Sequence, residues 1–512
     1  MQLALPALDM DPRLVDTNPD SVASWVERLP YTDLHECGRQ MLDALRNLSR
    51  TPMDVANRHK LLLQYLKGLD RYYPALESEI IQTDLTSAPR TRQLAMLGAA
   101  LFEAIFIAFK RTLSERLAKR GLLEREQQRI ELLLYTMMSA RQLLSICCQS
   151  YSPPPAHFWY DCHQLFSFAL ARGWQDKHLE NDDSPATIYR QILLLGLTST
   201  NRLSMPELLV AKQLIMDLAH QTGLVPVEAI QGQAHGYLVD AGRDEPPRFL
   251  RIQAETLEAG CYLLDLAPAI TVLNHSIEQL TKVQNTSSNP SQTYDELHLL
   301  QSLAAEWQQP RRRRHQRLPI QEVIELISTV PAIWYRSNGM SWVQAGNEEA
   351  APPPTTRAPP PPSLFVVVNQ SATGFLLRGQ PRGQTLRAGE AVLLTHPGKP
   401  DSAQLCMVCW VSLLPDGVDV ECGVEIIGAK PDAVMVIPTI THPSDTPQFA
   451  LRLPAIASLR RPALLLMQGR PFSRLREFRL WDDKGDMLVR SSRLDKQSPH
   501  FQLMEFRDSD HF

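Results

Sequence analysis

Seven residues past the middle of the chain, Arg311-Arg312-Arg313-Arg314-His315-Gln316-Arg317, hold five arginines, and Asn369-Gln370-Ser371-Ala372-Thr373-Gly374 follows downstream. A guanidinium fork makes two parallel hydrogen bonds to a phosphate or to the O6/N7 edge of a guanine, which a lysine ammonium does less well. On an extended or loosely coiled segment, Arg313 and Arg317 are spaced to grip different parts of one ligand. Their planes can also stack on a guanine face, for about 0.5 to 2 kcal/mol. Asn369 and Ser371 share parity on a strand, so their side chains point to one side. Gly374 then permits a turn with positive φ. Taken alone, the arginine run reads as a solvated charged segment or a nucleic-acid patch.

The elements around these residues change that balance. After Gly374 come apolar stretches separated by turn residues: Phe375 to Leu377, Ala391 to Leu394, Cys406 to Val411 and Gly423 to Ile427. Such spacing suits a small antiparallel barrel. In this context the two motifs resemble the ligand-binding signature of the PilZ domain, RxxxR followed by [D/N]xSxxG. Val408-Cys409-Trp410 and Gly423-Val424-Glu425-Ile426 resemble that family's closing V-x-W and G-[IV]-E-[FI] strands.

The resemblance implies a receptor for the second messenger cyclic di-GMP. Arg313, Arg317, Asn369, Ser371 and Gly374 would contact the ligand, with Arg312 and Arg314 as additional contacts. It implies no catalysis and no cofactor or metal. The GGDEF, EAL and HD-GYP signatures of enzymes that make or degrade the messenger do not occur in the chain. Two departures stand out: Asn369 occupies a position where Asp is commoner, and the proline-rich insertion 351–362 lengthens the gap between the motifs. Proline lacks the ladder donor, so that insertion is expected to be a polyproline-like exposed loop.

At 512 residues the chain exceeds one hydrophobic core. A net charge of −4 gives no global polycation, so nucleic acid is not favoured as the principal partner. The first residues, Met1-Gln2-Leu3-Ala4-Leu5-Pro6-Ala7-Leu8-Asp9, have no basic stretch before a short apolar run and do not read as a secretory signal. The apolar stretch from Leu94 to Phe109 contains Glu103 and reads as a buried helix, not a transmembrane segment. The 8 cysteines do not make a disulfide scaffold in so long a chain, and with the missing signal they favour the cytoplasm. Cys406 and Cys409 form a CxxC whose odd offset sends the two side chains to opposite faces of a strand, which disfavours zinc.

The expected architecture is multidomain α+β. Residues 1–310 form an all-α helical region with a short β excursion within 231–252. Residues 311–440 form a PilZ-like antiparallel β-barrel, and residues 441–512 a small C-terminal β unit. The stripes Leu62, Leu66, Leu69, Tyr73 and Ile130, Leu133, Met137, Leu144 mark long amphipathic helices, and Tyr151-Ser152-Pro153-Pro154-Pro155 ends the second. The β unit is carried by runs at 449–453, 463–467, 476–480 and 501–506. Arg460, Arg461, Arg470, Arg474 and Arg476 cluster there on what reads as a solvated strand surface.

Leu297, Leu300, Ala304 and Trp307 form the face of a last helix that Pro310 ends, so the arginine run becomes the connection between helices and barrel. Ligand capture is then expected to change the domain arrangement or the binding of a protein partner. The alternatives are a nucleic-acid-binding adaptor using the arginine-rich segment, or a structural interaction protein with a degenerate barrel.

Overall fold

The computed structural model describes residues 2–508 apart from 84, 87, 119–125, 180–182, 231–232, 254–259, 287–289, 310–314, 340–359, 440–446, 456–461, 469–474 and 483–484. The helical region comes first, and its starts are written in the sequence. Asn18 accepts from the amides of Asp20 and Ser21 to open the helix Pro19–Glu27, and Asp54 caps Val55–Gln82 in the same way. Ser184 accepts from Thr187 N ahead of Pro185–Leu197, and Glu207 reaches back to Ser204 N at the start of Met205–Leu218. Each such cap satisfies amides that have no partner within the helix, for about 1 kcal/mol.

The amphipathic stripes lie where the spacing puts them. Leu62, Leu69, Ile130, Leu133, Met137 and Leu144 are buried in one helical core, with Leu66 and Tyr73 packed against it. The helix Pro89–Ala118 is long and apolar enough to cross a membrane by length and composition, but here it packs on the helices Leu34–Arg50, Val55–Gln82 and Glu126–Gln149. Leu101, Ala108, Phe109 and Leu113 are fully buried in it. The Tyr151–Pro155 stretch separates Glu126–Gln149 from Phe158–Arg172, and Tyr151 itself has a positive φ of 51°.

The β excursion is a sheet of four strands: β1 (Gly223–Pro226), β2 (Gln233–Asp240), β3 (Arg248–Gln253) and β4 (Cys261–Asp265), in the order β1-β4-β2-β3. β2 and β3, joined through Gly242 to Pro247, occupy the span of the expected excursion. The outer strand β1 is only four residues long and carries no alternation. The helix Pro290–Gln308 then closes the region, with Leu297, Leu300, Ala304 and Trp307 buried and the Trp307 indole donating to Thr198 Oγ1 at 3.2 Å.

Two closed antiparallel barrels of six strands each follow. The first contains β5 (Leu318–Ser328), β6 (Ser363–Ser371), β7 (Gly374–Gly379), β8 (Ala391–His396), β9 (Lys399–Leu413) and β10 (Val420–Ala429), arranged β10-β7-β6-β5-β8-β9. Its interior takes alternate residues, among them Leu326, Phe365, Val367, Leu377, Val408 and Val420. The second contains β11 (Asp432–Pro438), β12 (Gln448–Leu453), β13 (Leu464–Met467), β14 (Glu477–Asp482), β15 (Gly485–Gln497) and β16 (Gln502–Asp508), arranged β11-β12-β13-β16-β15-β14. Closure removes exposed sheet edges in both.

One short helix, Val330–Trp334, fuses the barrels. Trp334 is fully buried among Ala391 and Leu393 of the first barrel and Met435, Phe449 and Leu451 of the second, within one continuous apolar cluster. Its indole N–H donates to Val434 O at 2.9 Å, so the polar edge of the ring is satisfied inside that interface. Hydrogen bonds also join the first barrel to the helical region. Leu413 N and Ser412 Oγ donate to Tyr151 O at 2.9 and 3.3 Å, Leu386 N donates to Thr86 Oγ1 at 2.8 Å, and Arg92 Nε donates to Gly417 O at 3.3 Å.

Candidate functional site

The register of the first barrel brings the two sequence motifs together. Arg317 immediately precedes β5, is exposed, and leads into a strand whose first residues pair with the end of β6, Leu318 with Gln370 and Pro319 with Asn369. The tail of the arginine run therefore enters the barrel beside the Asn369 to Gly374 hairpin. Two irregularities flank this point: the β5–β6 register shifts between Pro319 and Glu322, and the β6–β7 register shifts between Val367 and Asn369. A bulge bends its strand and sharpens the twist, and bulges recur where a side chain must be re-aimed. Arg311, Arg312, Arg313 and Arg314 lie outside the described residues, as does 351–359 of the proline-rich insertion.

Beyond the bulge, Asn369, Gln370 and Ser371 pair regularly with Leu376, Phe375 and Gly374, so Asn369 and Ser371 keep the parity that the sequence implied. Both are half-buried. The loop between the strands is only Ala372-Thr373, and it is built without left-handed residues. Ser371 holds it instead: Thr373 N donates to Ser371 Oγ at 3.4 Å, and Ser371 Oγ donates to Gly374 O at 3.2 Å. Ile426 N donates to Thr373 O at 2.9 Å and ties the tip to β10.

Gly374 corrects an expectation. It does not have a positive φ; it is the first residue of β7, paired with Glu425 of β10. Glycine is required there by close approach, because a Cβ on residue 374 would stand 2.0 Å from the Val424 carbonyl oxygen. A turn glycine and a contact glycine look alike in sequence, and only the neighbouring strand tells them apart.

The closing strands meet as their motifs suggested. Trp410 pairs with Gly423 in the β9–β10 ladder, and a Cβ on Gly423 would stand 2.2 Å from Trp410 Nε1. The indole thus lies on the glycine. Cys406 and Cys422 are buried inside the barrel, and burial pushes the Cys422 thiol up to about 12 and the Cys406 thiol higher still. Cys409 is half-buried, on the other parity. Among the described residues no group of three or more His, Cys, Asp or Glu side chains could hold a metal ion.

Sequence reasoning missed how the hairpin connects to the rest of the molecule. Glu425, the partner of Gly374, accepts from Lys496 of the second barrel at 2.8 Å. Both line a cavity of about 280 Å³ where the two barrels meet the helical region, together with Arg202, His298 and Glu306. No spacing rule joins a glutamate in a closing strand to a lysine in the next barrel. Arg476, the one described member of the tail's arginine cluster, lies over the Phe478 ring with 5.2 Å between guanidinium carbon and ring centroid. Arg460, Arg461, Arg470 and Arg474 lie outside the described residues.

Fold and site together define a multidomain α+β protein in which a helical region precedes two fused antiparallel barrels, the first carrying the paired arginine and NxSxxG motifs. The sequence matches the family described as "Cyclic-di-GMP receptor FimW, N-terminal domain" over residues 20–227, and "FimW C-terminal beta-barrel domain" over residues 433–509. The two matches cover more than half of the chain and bracket the barrel that carries the motifs. The chain belongs to the cyclic-di-GMP receptor FimW family. A relative, the cyclic-di-GMP receptor FimW of Pseudomonas aeruginosa, is 23% identical over 89% of this chain and 85% of its own length. No solved structure matches.

Proposed function

We propose that this protein binds cyclic di-GMP between the arginine run and the Asn369 to Gly374 hairpin, and converts occupancy into a changed relation between the barrels and the helical region. The observation that carries this reading is the pairing of Leu318 with Gln370 and Pro319 with Asn369, which delivers Arg317 to the hairpin. Arg313 and Arg317 supply bidentate contacts to phosphate or to guanine O6/N7, and Asn369 and Ser371 supply the facing polar surface. Arg312 and Arg314 add charge beside them.

The mechanical part rests on the elements that flank the arginine run. On one side stands Trp307, buried in the helical core; on the other stands β5, hydrogen-bonded on both edges in the barrel. Ligand held between these anchors favours whichever domain arrangement binds it more tightly, by the difference in ligand affinity between arrangements. Because Trp334 fuses the barrels, they move as a unit, and the polar contacts at Tyr151, Thr86 and Arg92 are the ones that yield. The protein reads the messenger in the cytoplasm and passes the change to a protein partner; no catalytic step is assigned to it.

Calorimetric titration of the whole chain with cyclic di-GMP and with cyclic di-AMP tests the binding. Adenine offers N6–H where guanine offers O6, so a bidentate arginine site favours the guanine ligand by about 1 to 3 kcal/mol for each such contact. Equal affinity for the two, falling steeply with salt, would instead fit a phosphate-only patch.

A further inference from the structure

The first residues of the chain run as an extended segment across the helical region, and a buried ion pair holds them by their backbone. Lys110 of the helix Pro89–Ala118 and Asp161 of the helix Phe158–Arg172 form a salt bridge with relative exposures of 4% and 0%. Each also grips one peptide unit of Ala4: Asp161 Oδ1 accepts from Ala4 N at 3.0 Å, and Lys110 Nζ donates to Ala4 O at 2.9 Å. Arg111 donates to the Pro6 carbonyl two residues on. Leu3 packs against the helical core, and Leu5 and Pro6 line a cavity of about 270 Å³ together with Phe106 and Phe158.

These contacts have the character of peptide recognition. Two charged groups are kept far from water and complete their hydrogen bonding with the N–H and C=O of a small residue, so any sequence of suitable shape satisfies them. Proline at the next anchor has no N–H to leave unpaired where only its carbonyl is used. The grip stops abruptly: Ala7, Leu8 and Asp9 are exposed, and the chain next touches down at the exposed Asp9–Arg50 pair and the Met10 N to Arg50 O bond.

We propose that this groove is a peptide-binding site occupied in cis, and that in trans it accepts an extended segment of a protein partner with the pattern apolar, small, apolar, proline. The partner's chemistry is defined by the occupant: Leu3 and Leu5 set the apolar positions, Ala4 the small residue read by Lys110 and Asp161, and Pro6 the carbonyl taken by Arg111. The cis segment competes at the high effective concentration of a short tether, so it masks the groove until it is released.

The test uses the full chain and a fluorescent synthetic peptide with the sequence of Gln2 to Asp9, followed by anisotropy. Leu3→Asp with Leu5→Asp dislodges the cis segment by placing charge at its two half-buried apolar positions. Ala4→Pro dislodges it by deleting the one amide that Asp161 accepts. Both released variants are expected to bind the peptide about tenfold or more tightly than the unaltered chain does, and adding Asp161→Asn to either should reverse that gain. Released variants that keep the unaltered far-ultraviolet spectrum and melting profile yet bind the peptide no better than the parent would overturn the proposal. So would released variants that dimerise and exclude the peptide, since the occupant in trans would then be a second copy.

Discussion

Gly374 and Val424 touch backbone to backbone: a single added carbon on Gly374 would stand 2.0 Å from the Val424 carbonyl oxygen, well inside any contact distance that real side chains show. The clash is with a strand of a closed barrel and has no flexible end to swing away. Gly374→Ala is therefore expected to separate β7 from β10 at the tip of the hairpin, costing about 1 to 3 kcal/mol as overpacking does. Gly374→Val should cost more, lowering both the melting temperature and ligand affinity. A silent Gly374→Val in melts and titrations would remove the close approach from the account.

Ser371→Ala should behave differently. It deletes the hydroxyl that links Thr373 N and Gly374 O at 3.4 and 3.2 Å, two long bonds at a half-exposed tip. Each bond of this kind contributes about 0.5 to 1.5 kcal/mol. Titration is expected to show affinity falling by less than for Gly374→Val, with the melting profile close to that of the parent. Reversal of that order would show that the hydroxyl itself is the main ligand contact.

Arg317→Ala removes an exposed side chain at the mouth of β5, so melting should not change. If it and Arg313 each give one bidentate contact of about 1 to 3 kcal/mol, each alanine variant should bind cyclic di-GMP roughly 5- to 150-fold more weakly. Titration of the double variant decides the matter, since full affinity there would place the ligand elsewhere.

Trp334→Ala should damage both barrels together. The ring is fully buried in a cluster drawn from both, and truncating such a residue costs about 3 to 5 kcal/mol. Trp334→Phe keeps most of the packing but leaves Val434 O without its donor, for about 1 to 3 kcal/mol. Hydrogen exchange should show β8 and β12 losing protection in parallel. Loss confined to one barrel would mean that they are not one unit.

Cys422 gives a pH dependence whose sign is fixed by its burial. In the folded barrel the thiol is pushed from 9.0 up to about 12 by desolvation, while the unfolded chain ionises near the ordinary value. Above about pH 9 the unfolded state loses a proton that the folded state keeps, so stability falls as pH rises through the window to about 12. Replacing Cys422 by the non-ionising Ala should flatten that part of the stability profile. An unchanged slope would assign the alkaline loss to other groups.

Much of this architecture was legible in the sequence, for physical reasons that differ by element. The helical region announced itself through buried stripes such as Ile130, Leu133 and Met137. Barrel strands with apolar interiors, β8 and β9 among them, were visible as runs. β15 was not, because Gly485 to Gln497 is mostly polar with only two buried positions, and its place comes from pairing with β14 and β16. The opening strand β11 begins at Asp432, after only Lys430 and Pro431, so the chain passes from one barrel to the next without a linker long enough to mark the change. At the site, the motif order and the parity of Asn369 and Ser371 could be read ahead of the fold. The reason for Gly374 could not, since it depends on a strand fifty residues downstream.

The central claim is that ligand sits between the arginine run and the hairpin, and hydrogen–deuterium exchange of the whole chain with and without saturating cyclic di-GMP tests it most directly. The account predicts new protection at peptides covering 311–320 and 369–376 together, with altered exchange around Tyr151, Thr86 and Arg92 where the barrels meet the helices. Saturated binding that leaves both of those segments unchanged, while protecting another part of the molecule, would contradict it.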